Sequence, residues 1–273
     1  MAEIGIEMIT RGETTLEDVL VSLSVQSFKD FMIACVNSSG KDDISETLRK
    51  YGVKEIAVDP STNFLEARYI AHINASGKYR LLLDSTRPLD GKALEILISN
   101  YKSFPAVCLR EGSIGNGFWV CQADRLRLLS EASFKETAGK NVAYILPRFY
   151  HENVLDRSFL FLKENIDEKL FVRIGYGEHH LIYETANLKE NEICITKEIL
   201  MTHYEDTTAR DIIKKYMRYG RSQRTLDKLD FTASAKKLAS HKRPLSLRTL
   251  IPSIVTIPIR FLRISAFLLG YLL

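Results

Sequence analysis

Apolar and polar positions change period repeatedly along the first hundred residues. Ile4–Ile9 is an apolar run of strand length, and after the capping-box spacing Thr14-x-x-Glu17 the residues Leu16, Val19, Leu20 and Leu23 recur on one helical face. Phe31–Val36 reads as a second strand, followed by the polar loop Asn37-Ser38-Ser39-Gly40 and a helical stretch to about Lys50. Val53–Val58 is a third strand. Asn63-x-x-Glu66 opens another helix that stops near Gly77, and Tyr79–Leu83 is a fourth strand ending at Asp84. Strands alternating with helices imply right-handed crossovers and an α/β fold with a mixed, mainly parallel sheet flanked by helices. Such sheets bind ligands at the carboxyl ends of their strands, which points to the loops Thr10–Glu13, Asn37–Asp43 and Asp84–Arg87.

The later pattern is sparser. Leu94–Ile98 is helical, Ala106–Leu109 and Phe118–Cys121 read as strands, and Asp124–Leu129 reads as a helix. No element is assigned from about Lys140 to Glu168. Leu181–Leu188 is expected to be a helix, Ile193–Thr196 a short strand and Thr207–Leu226 a basic amphipathic helix. After Asp227 the composition shifts to Lys, Ser and Ala and then to an apolar end, which divides a body, residues 1–230, from a tail, residues 231–273.

Composition adds little until it is divided. The chain has 273 residues, 45% hydrophobic and 26% charged, with 14 Gly and 7 Pro, which excludes disordered and collagen-like classes. Its net charge of +4 hides an asymmetry: from Arg210 onward 14 Lys and Arg face 3 Asp, a balance of +11, so the preceding residues carry −7. A basic end on an acidic body suits an anionic membrane surface better than nucleic acid, because its charges adjoin apolar runs and do not alternate with exposed aromatics. Cys35, Cys108, Cys121 and Cys194 show no zinc spacing and read as buried reduced thiols. The first residues lack a basic region and an apolar core, so no secretory signal is expected and the body reads as cytoplasmic.

Several strings then occur in a telling order. Leu65-Glu66-Ala67-Arg68, Asn74-Ala75-Ser76-Gly77-Lys78-Tyr79 and Leu81-Leu82-Leu83-Asp84 follow one another; Ser22-Leu23-Ser24-Val25-Gln26-Ser27 precedes them; His203-Tyr204-Glu205 and Lys214-Lys215-Tyr216-Met217-Arg218-Tyr219-Gly220 come after. Together, from Ile4 to about Arg224, they resemble the family-two glycosyltransferases, nucleotide-sugar enzymes of the GT-A fold. That resemblance implies transfer of a sugar from a nucleotide-diphosphate donor to a glycan or lipid-linked acceptor, with inversion, and a role in glycan biosynthesis. By the resemblance, Thr10, Arg11 and Glu13 lie beside the nucleotide. The family's V-D-D-G-S appears as Val36-Asn37-Ser38-Ser39-Gly40, leaving Asn37 and Ser39 as donor-binding candidates. Its metal-binding D-x-D appears as Asp84-Ser85-Thr86, with Arg87 next. Asp84, and His203 with it, are the candidates for Mg²⁺ or Mn²⁺, while one carboxylate is few for a hard cation and a metal-independent site is also consistent. Asp84 and Thr86 join Arg68 and Arg87 as candidates near the diphosphate, guanidinium being a good phosphate partner. The catalytic acid pair corresponds to Gly177-Glu178-His179-His180, giving Glu178 and His179 as candidate bases. The departures from the family motif also fit an alternative, a catalytically inactive protein that binds nucleotide-sugar or a partner glycosyltransferase.

Two apolar stretches, Leu250–Ile259 and Phe261–Leu273, flank Arg260, with Arg263 close behind. An Arg near the bilayer centre costs about 2.5–3.5 kcal/mol, and Pro252 and Pro258 break the first stretch, so a spanning helix is disfavoured. The expectation is a helical tail lying in the interface at the cytoplasmic face of the membrane, with Lys236, Lys237, Lys242, Arg243 and Arg248 toward anionic headgroups. The competing expectation packs this tail on the body or on a second copy in a homodimer.

Overall fold

In the computed structural model, which describes residues 2–136, 146–229 and 255–273, four parallel strands alternate with three helices as the periodicity predicts. These are β1 (Ile4–Thr10), α1 (Leu16–Ser24), β2 (Phe31–Asn37), α2 (Asp42–Lys50), β3 (Lys54–Ala57), α3 (Phe64–Asn74) and β4 (Tyr79–Asp84). A short helix α4 (Ala93–Ile96) runs on as a π-helical turn and leads to β5 (Ala106–Ile114), α5 (Phe118–Glu136), β6 (Phe149–His151) and α6 (Glu152–Asn165). Then come α7 (Glu168–Phe171), α8 (Glu178–Thr185), β7 (Ile193–Tyr204), α9 (Ala209–Leu226) and α10 (Ile257–Leu272). One seven-stranded sheet has the order β3-β2-β1-β4-β6-β5-β7. Only β6 runs antiparallel to its neighbours β4 and β5.

The strand order creates the crevice. From β1 the chain steps outward to β2 and β3 and then returns to place β4 on the other side of β1, so connections diverge where Ile9 registers with Asp84. Loops leaving β1 and β4 therefore part at their carboxyl ends and leave room for a ligand. Alternation along the strands fills a core on each face: Ile4, Ile6, Met8, Leu81 and Leu83 on one, Leu82 with Leu65, Tyr150, Phe159 and Leu181 on the other. Glu7 interrupts the apolar run of β1 and is fully buried; His72 Nδ1 lies 2.9 Å from its carboxylate, and Arg80, paired with Glu152, lies 3.9 Å away.

Several expectations change. Phe118–Cys121 opens helix α5 and is no strand; Gly115 and Gly117, both at positive φ, end β5, and Val120 and Ala123 turn one helical face inward, Ala123 against Ile212 and Ile259. Cys121 is consequently exposed and Cys194 half-buried, while Cys35 and Cys108 are buried as expected; all four are free thiols. The capping box does not form: Thr15 precedes α1, its hydroxyl donates to the Ser85 carbonyl at 2.7 Å, and Glu17 pairs with Lys50. β7 reaches Tyr204, eight residues beyond the expected end, because it stays paired with β5 through an irregular register as far as Ile114 opposite Tyr204.

The apolar end folds back. α10 crosses α9 where Gly220 meets Gly270, so closely that a Cβ on Gly220 would overlap the Phe267 carbonyl and one on Gly270 the Met217 backbone. Tyr271 donates to Asp227 at 2.7 Å across the same contact. The basic residues from Lys236 to Arg248 lie outside the described residues. Among the described residues no helix is long and apolar enough to cross a membrane. The outward face of α10 nevertheless leaves Phe261, Ile264, Leu268 and Leu272 exposed.

Candidate functional site

A cavity of about 950 Å³ opens at the carboxyl ends of β1 and β4 and is closed on its far side by α8, α9 and Arg263 of α10. Its floor is organised by Glu13. One carboxylate oxygen accepts from Thr10 Oγ1 at 2.9 Å, from the Arg11 amide at 2.9 Å and from Ser85 Oγ at 2.5 Å, tying the loop after β1 to the loop after β4. Arg11 donates to the Thr62 carbonyl at 2.8 Å and lies over the Phe64 ring, so its charge borders the cavity from a fixed position. Asn37 and Ser39 are turned elsewhere. Asn37 Oδ1 accepts from the Ser39 amide and hydroxyl, and its Nδ2 donates to Glu55 at 2.7 Å. Neither side chain lines the cavity; the adjacent Ser38 does, because the Asn37 side chain folds the turn around itself.

Asp84, at the end of β4, is the centre of a guanidinium cluster. Arg68 and Arg87 both pair with its carboxylate, and Arg148 Nη1 lies 3.2 Å away. Glu111 of β5 shares the last two, with Arg87 Nε at 3.2 Å and Arg148 Nε at 3.4 Å. Arg68 does not line the cavity: it is wholly buried behind Asp84, donating to the carbonyls of Glu7 at 3.1 Å and Leu83 at 2.9 Å. Burial opposes ionisation of Asp84, and Arg68, Arg148 and Arg87 outweigh it, holding the carboxyl well below the usual range. Burial likewise acts against Glu111, and Arg87, Arg148, His203 and Arg127 bring it down to about 2. Both stay ionised at any working pH.

Glu178 behaves oppositely. It opens α8 just after Gly177, whose φ of +100° needs glycine, and burial pushes its carboxyl up despite Arg68 Nε at 3.9 Å. Its neighbour His179 is held neutral by burial and by Arg148 and Arg68. Nε2 of that ring lies 3.2 Å from Arg68 Nη2 and 3.4 Å from Arg148 Nη1; both are donors, so Nε2 accepts and the ring proton sits on Nδ1. His179 therefore spends its lone pair on the arginines. His203 faces Glu205 at 3.1 Å, and Glu205 also takes Arg127. Burial and Arg87 lower the His203 pKa against the pull of Glu205.

The structure thus gathers Thr10, Arg11, Glu13, Asp84, Thr86, Arg87, Glu178, His179 and His203 around one cavity and leaves Asn37, Ser39 and Arg68 outside it. It adds Glu111, Arg127 and Arg148, which sequence reasoning missed. Arg148 stands in the stretch that gave no periodic signal, one residue before β6, and reaches Asp84 because the brief antiparallel β6 inserts beside β4. Chemically the site combines fixed anions that orient guanidiniums with one carboxylate whose pKa is raised by burial, a division between charge stabilisation and proton acceptance.

No protein-family model matches the chain, and no curated protein matches it in sequence. Solved structures do match in shape. S. aureus TarS residues 1–349 in complex with UDP superimposes at a TM-score of 0.56 and 16% identity, over 98% of this chain and 89% of that one. This chain spans 54% of the longer TarS structure. A mannosyltransferase from Pyrobaculum calidifontis, in complex with GDP-Man and Mn²⁺, matches at a TM-score of 0.53 and 13% identity, over 97% and 73% of the two chains. Glucosyl-3-phosphoglycerate synthase from Mycobacterium tuberculosis, with Mn²⁺ and UDP, matches at 0.51 and 14%, over 82% and 78%. These neighbours are glycosyltransferases of the GT-A type, and at such identities the likeness is one of fold: the chain has a GT-A fold.

Proposed function

We propose that this chain transfers a glycosyl group from a nucleotide-diphosphate sugar to an acceptor hydroxyl, with inversion. The observation that carries this reading is a single cavity, at the point where the sheet reverses its strand order, that holds both a guanidinium wall and the raised-pKa carboxylate of Glu178. As the bond from the anomeric carbon to phosphate oxygen breaks, negative charge grows on the diphosphate, which the positive wall stabilises. The acceptor oxygen forms its bond on the opposite face of the same carbon, and Glu178 takes its proton. His179 holds the arginines in place. The neighbours crystallised with nucleotides and nucleotide-sugars support the donor class.

The exposed apolar row of α10 supports a site held at a membrane surface, with a lipid-linked acceptor, at the cytoplasmic face of the cell membrane. Arg263 of the same helix lines the cavity, so the helix that carries the apolar row also borders the site.

A panel of UDP- and GDP-sugars assayed for turnover tests the reading. Glu178→Gln is expected to lower kcat by about 10²–10⁴-fold without lowering the melting temperature. The wild-type rate is expected to rise with pH along a limb that lies above the ordinary carboxylate value of 4.5. No turnover with any donor, together with no binding of UDP or GDP, would overturn the proposal.

A further inference from the structure

Two of the matching structures hold Mn²⁺, so the Asp84 corner is where a divalent cation is expected. The residues there do not fit one. Asp84 is the sole carboxylate of Asp84-Ser85-Thr86 and is engaged by three guanidiniums. Ser85 Oγ donates to Glu13, Glu111 holds Arg87 and Arg148, and His203 faces Glu205. Mg²⁺ and Mn²⁺ need several oxygen ligands with lone pairs to spare, and an ion here would also meet the charges of Arg68, Arg87 and Arg148. Among the described residues no group of three or more His, Cys, Asp or Glu could hold a metal.

The arginines themselves have capacity left. Arg87 and Arg148 spend Nε and Nη1 on Asp84, Glu111 and their surroundings, while Nη2 of each has no hydrogen-bond partner among the described residues. Both side chains line the cavity and keep some exposure, 17% and 11%. We propose that Arg87 and Arg148 bind the diphosphate of the donor directly, in the place where related folds use a divalent cation. This rests on the nucleotide-sugar reading above. Two planar forks fixed by the shared carboxylates Asp84 and Glu111 border the same cavity, and guanidinium is a good partner for phosphate oxygens. Asp84 is then a positioning residue that aims the two arginines, and buried Arg68 braces Asp84.

Calorimetric titration of the full-length protein decides this, with UDP and GDP added in EDTA and again in Mn²⁺, and uridine and guanosine as controls. The expected result is equal nucleoside-diphosphate affinity in both conditions, at least about tenfold tighter than the nucleoside. Arg87→Gln and Arg148→Gln are each expected to weaken the diphosphate by about 10–100-fold and leave the nucleoside unchanged. Binding that requires Mn²⁺ overturns the inference and leaves the glycosyltransferase reading standing. Absence of binding in both conditions overturns the inference, and together with no turnover on any donor it overturns the glycosyltransferase reading as well. Where a variant does not fold, the wild-type comparison of UDP with uridine in EDTA still decides, since equal affinities overturn the inference.

Discussion

Glu184 is a half-buried carboxyl on α8, outside the lining of the cavity, with one oxygen that has no hydrogen-bond partner among the described residues, and burial pushes its pKa from 4.5 up to about 7. The folded state therefore binds a proton between these values that the unfolded state has released, so the protonated form's contribution to stability is complete below 4.5 and is lost as pH rises toward 7. Glu184→Gln is expected to match the wild type in thermal melts at pH below 4.5, to gain on it progressively up to about pH 7 and to keep a constant advantage above that; a pH-independent difference would refute this. Residues of this kind are partly legible in sequence. Asp84, Arg87 and Glu178 were found because a strand end or a motif position singles them out. Glu111 and Arg148 were not, since nothing local distinguishes a site arginine from a surface one; their meaning lies in meeting Asp84 across the sheet. Asn37 shows the same limit, since its contact with Glu55 on the neighbouring strand comes from the sheet and has no local signal.

At the scale of elements, the crossing of α9 and α10 gives the sharpest test. Gly→Ala at an exposed helical site usually stabilises by about 0.5–1 kcal/mol. At Gly270 the added methyl would meet the Met217 backbone, so Gly270→Ala is expected instead to destabilise by about 1–3 kcal/mol and to expose α10 to limited proteolysis. A variant at least as stable as wild type would show that the helices do not cross there. Elements with a strong local period, β1 to β4 with their helices, were read correctly in type and nearly in extent. Phe118–Cys121 was read as a strand because four apolar residues fit either period. The tertiary environment settled it: the glycines end β5, and the helix finds an apolar partner in α9 and α10.

For the whole molecule, the divided charge and the outward face of α10 converge on one prediction. Phe261→Ser with Leu268→Ser is expected to reduce flotation with phosphatidylglycerol vesicles by at least about tenfold, since each buried side chain contributes about 1.5–3 kcal/mol. Raised salt is expected to weaken wild-type binding through the basic tail. Equal flotation of variant and wild type would remove membrane binding by this face. The sequence by itself determined the α/β alternation, the loops that border the crevice and the +11 end, because periodicity, strand ends and charge are properties of neighbours along the chain. The tertiary structure alone decided which charges meet. Three arginines around Asp84 come from α3, from the loop after β4 and from the residue before β6, and a crossover and an antiparallel insertion bring them together. It also decided that the described part of the apolar end returns to α9, because two glycines far apart in sequence allow the backbones to touch.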